Sequence, residues 1–417
     1  MTATATLNAV LLHDNSRCEA ELSKWFSSYG GKGLDVALQQ PDQIIQFIKK
    51  ADLKGLGGSG FPTHKKWQQV SNQDSNGDRY LICNANEDEP GTFKDRTLLE
   101  ETPHQVIEGA LIAALATRIN HIVFYINPAL KKSLKNIEQG LAQWHSTHYI
   151  KQIESILGKT LNLKVLSSPG HYIGGEETAA IEAVEGKFPF PRGKPPFPSQ
   201  QGVNHQPTLV NNIETLANVP HILRNGPQWY AELGKGSACG TKLYCLSGDV
   251  ISPGVYELAM GTSLNELVYE YGGGICGDKK LKAVFTGGPS NTLLTVNDLD
   301  VALDFDSVKH RHSSLGTGAM IVVSEGTDIV KRVAKYIDFF ANGSCGQCPS
   351  CKIGTSQLSA LLAKINSGLG GQEDLKILEN LGSLLPGSGL CHLPDGAAKV
   401  LESTLFHFRH EFERKLI

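Results

Sequence analysis

The stretch GLGGSGFPTHKKW, residues 55–67, carries glycines at 55, 57, 58 and 60 and so satisfies the spacing G-x-G-x-x-G. In an ordinary dinucleotide-binding fold that spacing follows a strand directly and opens a helix. Here the preceding PDQIIQFIKKADL, residues 41–53, places Ile44, Ile45, Phe47 and Ile48 at helical spacing after a Pro-Asp start, and Phe-Pro-Thr follows the glycines. An ordinary Rossmann reading therefore fails. Two readings remain open on this stretch: a loop whose main-chain N–H groups approach a flat or anionic ligand closely, and a merely flexible connection.

Downstream, RYLICNA (79–85) predicts a strand that runs into NEDEPGTFKDR (86–96), which taken alone reads as a solvated acidic loop around a Pro-Gly turn. A helix over about 103–117, a strand at HIVFYI (121–126) and a strand, glycine turn and helix over 162–187 predict an α/β layer. Glu176 and Glu177 fall near the start of that last helix, where carboxylates suit the macrodipole. Five prolines between Pro189 and Pro198 make a stiff, extended segment, and Asn211 or Asn212 is expected to cap the next helix. From Thr241 the texture changes to short strands, turn glycines and one helix, the pattern of a small β-grasp module. Beyond about Asp328 helix-forming sequence returns and is expected to form a bundle.

That bundle would frame GSCGQCPSC (343–351) and GSGLCHLPDG (387–396). Cys345, Cys348 and Cys351 crowd onto one loop at C-x2-C-x2-C spacing, which suits the corners of an iron–sulfur cubane, with Cys391 as the remote fourth ligand. Zinc more often pairs two C-x2-C knuckles, and no second knuckle exists; the two-cluster ferredoxin pattern is excluded because Lys-Ile-Gly-Thr follows Cys351. A zinc site and four idle thiols are the alternatives. Cys18, Cys83, Cys239, Cys245 and Cys276 lack metal-type spacing and read mostly as core thiols.

Composition narrows the classes further. The 417 residues are 40% hydrophobic and 19% charged, a globular profile, and 39 Lys and Arg against 42 Asp and Glu offer no broad basic surface for nucleic acid. Thiolates that hold iron need reducing conditions, which points to a cytoplasmic setting. No basic residue precedes Arg17, so the start is read as mature sequence rather than a signal or transit peptide. The most apolar stretch, 106–126, is interrupted by Glu108, Arg118, Asn120 and His121, short of the roughly 18 apolar residues a span needs, so no direct membrane insertion is expected. No G-x-S-x-G, Walker A or H-E-x-x-H motif occurs, and His310, His312, His407 and His410 read as surface residues.

Taken in order, GLGGSGFPTHKKW, NANEDEPGTFKDR, GHYIGGEETAAIEAVEGK, KPPFP, NNIETLANVP and SCGQCPSCKIGT with the distant cysteine resemble the NADH-binding flavoprotein subunit of respiratory complex I. That module also occurs in NAD-linked formate dehydrogenases and NAD-reducing hydrogenases. The resemblance implies an α/β fold in three parts: an atypical Rossmann-like FMN- and NADH-binding domain over 1–237, a β-grasp domain over 238–327 and a helical iron–sulfur domain over 328–417. It implies FMN contacts at Gly57, Gly58, Gly60, Lys66, Asn84, Asn86, Glu87, Tyr172, Gly175, Glu176, Glu177, Asn211, Asn212 and Thr215. It implies NADH contacts at Phe61, Lys66, Glu89, Glu177 and Phe197, with Glu89 positioning the dinucleotide, and a 4Fe-4S cluster on Cys345, Cys348, Cys351 and Cys391. Hydride would pass between NADH and FMN and single electrons onward through the cluster.

The implied partners are a small thioredoxin-like 2Fe-2S subunit and a larger iron–sulfur subunit, at the cytoplasmic side of a membrane and with quinone as the destination. A diaphorase subunit is the alternative within that chemistry, and a non-catalytic assembly protein with a structural cluster the alternative outside it. Departures from the family pattern are His64 for Gly, Gln69 for an aromatic facing adenine, Asn86 for Asp, Phe188 for a basic residue, Gly343 for an acidic one and Lys352 for Arg. Asn86 implies a less negative flavin environment and a raised potential, and Gln69 removes one expected stacking partner.

Overall fold

A computed structural model of the chain describes residues 3–4, 9–74 and 77–417. Its centre is the helix Pro103–Thr117, mostly apolar and buried along its entire length, its polar residues His104, Gln105 and Glu108 included. It packs against the helix Ile213–Asn225 so closely that a Cβ on Gly109 would lie 1.9 Å from the Leu216 carbonyl oxygen. The charge that interrupted the apolar run, Glu108, accepts hydrogen bonds from Trp25 Nε1 (2.8 Å), Gly31 N (2.9 Å) and Leu34 N (3.1 Å), and burial pushes its carboxyl up to about 7.

In chain order the strands are β1 (Ala3–Thr4), β2 (Tyr80–Ala85), β3 (His121–Ile126), β4 (Asn162–Ser167), β5 (Thr208–Asn212), β6 (Thr241–Gly248), β7 (Gly254–Ala259), β8 (Leu281–Thr286), β9 (Leu293–Thr295) and β10 (Ala319–Ser324). Strands β2 to β5 form one parallel sheet in the order β4-β3-β2-β5. The chain runs outward from β2 through β3 to β4 and then returns to β2's other side, so the order reverses between β2 and β5. Crevices at such switch points, beyond the carboxyl ends of the strands, are where parallel sheets bind ligands. The sheet is thus Rossmann-like, and what makes it atypical is that the glycine loop precedes the first strand instead of following it.

The second sheet runs β1-β7-β6-β10-β8-β9, with β6 and β10 parallel at its centre and antiparallel hairpins on either side, the β-grasp arrangement expected. Both of its faces are covered. Met320 and Val322 of β10 point into the module's own core, whereas Ile321 and Val323 pack against the C-terminal helices. This double burial explains why AMIVVS reads as an unbroken apolar run rather than an alternation. The helices Ile329–Gly343, Ser356–Asn366, Gln372–Leu384 and Leu393–Glu413 share one core with that face.

One expectation is corrected. The acidic loop after β2 is not solvated at Glu87: its carboxylate is buried against Asp95 N (2.7 Å), Arg96 N (3.3 Å) and Arg96 Nε (2.7 Å), where it caps the helix Lys94–Glu101. Of the remaining cysteines Cys18, Cys83 and Cys245 are core thiols, in line with the expectation for most of them, while Cys239 is partly exposed and Cys276 exposed.

Candidate functional site

The carboxyl ends of β2 and β5 lie side by side, with Asn84 opposite Asn212 in the register. The glycine loop is laid over this edge. A Cβ on Gly57 would fall 2.7 Å from Asn212 Cβ, so only glycine allows the approach. Asn212 is committed on all sides: Oδ1 caps Glu214 N (3.0 Å) and accepts from Lys94 Nζ (3.0 Å), while Nδ2 donates to Asp95 Oδ2 (2.8 Å) and Asn84 O (3.2 Å). Asn211 accepts from Trp67 Nε1 (2.8 Å), and Thr215 Oγ1 accepts from Leu56 N (2.8 Å), which ties the loop to the helix after β5.

These elements enclose a cavity of about 510 Å³. Of the expected flavin contacts, Gly57, Gly58, Lys66, Asn84, Asn86, Glu87, Tyr172, Gly175, Glu176, Glu177, Asn211, Asn212 and Thr215 line it. Gly60 is not in the wall; its φ of +63° and the Phe305 ring, 2.6 Å from where its Cβ would lie, account for the glycine. Phe61, Lys66, Glu89 and Glu177 line the same space, whereas Phe197 is exposed and outside the wall. Gln69 is exposed as well.

Charge is arranged at one wall. Burial opposes the ionisation of Glu177, but Lys66 (2.7 Å) and Lys194 (2.6 Å) overcome it and bring its carboxyl down to about 2. Glu176 spends one oxygen capping its helix, accepting from Thr178 N (2.8 Å) and Ala179 N (2.9 Å), and turns the other to Lys194 (3.3 Å). Elsewhere in the lining burial raises the Glu89 carboxyl to about 7 against the hydrogen bond from Ser290. Asn86 is held by neutral groups, donating to the His171 carbonyl (3.1 Å) and accepting from Ser168 Oγ.

The cavity has the polar character a bound nucleotide-type cofactor requires. Thr63 Oγ1 is buried in its wall with no partner among the described residues, a state a folded protein tolerates where a ligand completes the bond. Gly58, at φ +138°, has nothing nearer than 3.9 Å to its missing Cβ and leaves the space open. Gly57→Ala is expected to drive a methyl into Asn212 and lower the flavin retained on purification, read from flavin absorbance per chain. Full retention would contradict the cradle.

Cys345, Cys348 and Cys351 sit where the helix Ile329–Gly343 gives way to the turn Ser350–Thr355. Cys391 faces them: Leu390 N donates to Cys348 Sγ (3.4 Å), and Gln347 Nε2 approaches Cys345 Sγ (3.8 Å). Burial raises the Cys351 thiol and pushes Cys391 up to about 12, each also feeling its neighbouring cysteines. Among the described residues no three His, Cys, Asp or Glu groups close onto a single ion. Cys351 feels Cys345 and Cys348, and Cys391 feels Cys345 and Cys351, so the cysteines lie near one another as a shared cluster requires. Gly343 has a packing reason, since its Cβ would lie 3.0 Å from Tyr172 Cβ. Cys391, one of the four expected cluster ligands, also lines the cavity that the glycine cradle borders.

Three family models match the chain: a Nuo51 FMN-binding domain over residues 48–221, an SLBB domain over 242–330 and an NADH-ubiquinone oxidoreductase-F iron-sulfur binding region over 331–415. The second of the NADH-quinone oxidoreductase F subunits of Rhizobium meliloti (strain 1021) is 42% identical over 408 residues, covering 97% of this chain and 96% of that protein. The chain belongs to the family of NADH-quinone oxidoreductase F subunits. The F subunit of Aquifex aeolicus (strain VF5) is 37% identical over 416 residues, 99% of this chain and 95% of that one. Among solved structures, NAD+-reducing [NiFe]-hydrogenase in the H2-reduced state superposes with a TM-score of 0.86 at 32% identity, over 98% of this chain and 68% of that chain. FMN and a 4Fe-4S cluster are therefore the cofactors that this family membership brings to the chain.

Sequence reasoning missed the part of the cavity wall supplied by the β-grasp module and by the helix after Cys391. Gly287, Ser290, Asn291, Ser314, Gly316 and Thr317 reach it from the β-grasp module, and His392, Asp395 and Lys399 from the cluster helix. A weaker signal was present in FTGGPSN and SSLGTG, turns with two glycines each against the four of the first loop. The charged trio Lys94, Asp95 and Arg96 also hides a buried cation: Lys94 Nζ contacts Asp95 (2.7 Å) and Glu214 (2.9 Å).

Proposed function

We propose that the chain is the electron-input subunit of a multisubunit NADH dehydrogenase, accepting hydride from NADH and delivering single electrons through its cluster to partner subunits for quinone reduction. The observation that carries this reading is the single cavity whose wall holds the glycine cradle, the acidic dinucleotide residues and Cys391. Bound FMN supplies the chemistry, accepting electrons as a pair and releasing them singly. The protein's own groups bind and orient. The amides of the glycine loop and Asn212 fix the cradle, Lys66 is held between Glu177 and the Val210 carbonyl (3.0 Å), and the exposed ring of Phe61 offers a flat surface in the cavity lining. Glu176 and Glu177 neutralise Lys66 and Lys194, which would otherwise attract a 2'-phosphate.

In this reading the boundaries 1–237, 238–327 and 328–417 divide flavin, β-grasp and cluster work. The partners are the thioredoxin-like 2Fe-2S subunit and a larger iron–sulfur subunit, and attachment to the cytoplasmic side of a membrane runs through them. No described helix is long and apolar enough to cross a membrane. The superposition on an NAD+-reducing hydrogenase favours one second reading, a diaphorase running towards NAD reduction. Anaerobic NADH is expected to bleach the bound flavin, with NADPH at least about tenfold less efficient in kcat/KM. Absence of bleaching would sink the reading, and equal efficiencies would sink the role given to Glu176 and Glu177.

A further inference from the structure

The loop between β8 and β9 enters the cavity from a different module, and it does so against the carboxylate expected to position NADH. Ser290 Oγ donates to Glu89 Oε1 at 2.5 Å and lies 3.1 Å from the Tyr172 hydroxyl. A serine has one proton to give. That proton goes to the carboxylate, and the Tyr172 hydroxyl is hydrogen-bonded both to Glu89 and to Ser290, so the two hydroxyls close on one carboxylate together. The loop has no room to withdraw. On one side a Cβ at Gly288, whose φ is +85°, would lie 2.6 Å from Glu89 Cγ and Oε1. On the other, Gly396 of the helix that follows Cys391 packs on Ser290, its missing Cβ 3.4 Å from Ser290 Cα and Cβ. Ser290 is therefore wedged between the flavin unit and the cluster helix, with its hydroxyl directed at one carboxylate oxygen.

We propose that Ser290 is a positioning residue for the dinucleotide: with Tyr172 it holds the Glu89 carboxylate in the orientation that receives NADH, so the β-grasp module shares in setting affinity. This rests on the reading of Glu89 as a dinucleotide contact. A carboxylate free to rotate presents the right edge only part of the time, and losing the hydrogen bond that fixes it weakens ligand binding without touching the hydride step.

The test uses the full chain loaded with FMN and cluster, with ferricyanide as acceptor and NAD+ binding followed by calorimetry. Ser290→Ala is expected to raise the KM for NADH and the Kd for NAD+ about five- to tenfold, with kcat within about twofold. Ser290→Thr, which keeps the hydroxyl, stays within about twofold of the starting protein in both constants. In a Glu89→Gln background the added Ser290→Ala change costs less than about twofold, because the serine acts through that carboxylate. Unchanged KM and Kd in Ser290→Ala, full additivity in the double variant, or loss of bound flavin from Ser290→Ala would each overturn the proposal. Failure of the unaltered protein to bleach with NADH would instead sink the functional reading beneath it.

Discussion

Cys348→Ala will leave a protein that still bleaches its flavin with NADH but has lost the absorbance of its cluster and all electron delivery to partner subunits. Cys348 does not line the cavity, so the cradle, Lys66 and Glu89 keep their surroundings. The damage is confined to the joint between the two cysteine segments. Leu390 N now donates to a sulfur; with alanine it faces a methyl, and the segment carrying Cys391 loses its hold on the loop of Cys345 to Cys351. A four-iron cluster left with three thiolates is open to solvent at one corner and is readily lost. The expected record is iron per chain falling towards zero, flavin per chain unchanged, and quinone-linked turnover of the reassembled complex at background. Turnover that survives would mean electrons leave the flavin by another route. Chelating the iron from the unaltered protein should reproduce the same split between flavin reduction and onward transfer.

Much of this site was legible because its chemistry is local. The three clustered cysteines lie within seven residues and were grouped by their spacing, whereas Gly57, Gly58 and Lys66, within ten residues, and Asn211, Asn212 and Thr215, within a single helix start, sit in short segments that the family resemblance picked out together. Asn212 caps the helix Ile213–Asn225 as its position indicated. Loops brought together from distant sequence were not legible. Glu89 and Ser290 are separated by 201 residues, and nothing in NEDEPGTF indicates that Glu87 turns inward as a cap while Glu89 turns to a hydroxyl from another module. Gly60 misled for a related reason: it matched the glycine spacing, whereas the ring that requires it is Phe305. Lys242 lay in a strand pattern, TKLYCLSG, otherwise suited to burial, and its partner Glu214 is 28 residues away. A charge in such a run announces a buried partner without saying which.

That partner is the most consequential carboxylate in the molecule. Glu214 is fully buried in the first turn of its helix, a position the macrodipole favours, and accepts from Lys94 Nζ (2.9 Å), Lys242 Nζ (3.3 Å) and Leu243 N (2.8 Å). It holds two buried ammonium groups from two modules at once. Burial lowers Lys242, while burial of Lys94 is outweighed by Asp95 and Glu214, which raise it. Removing one partner from such a set leaves uncompensated charge in the interior and costs about 3–5 kcal/mol, far more than the intact set contributes over an apolar replacement. Glu214→Ala is therefore expected to lower the thermal midpoint more than Lys242→Met does, since the second change leaves Glu214 paired with Lys94. The loss should also reach the cofactor, because Lys94 is the donor to Asn212 Oδ1 in the cavity wall. Flavin release and unfolding, followed together by flavin fluorescence and circular dichroism, should both shift down in Glu214→Ala. In Lys242→Met the flavin should stay bound to a higher temperature. Equal midpoints for the two variants would show that Lys242 and Lys94 do not depend on the shared carboxylate, and would place the junction's strength in its apolar contacts instead.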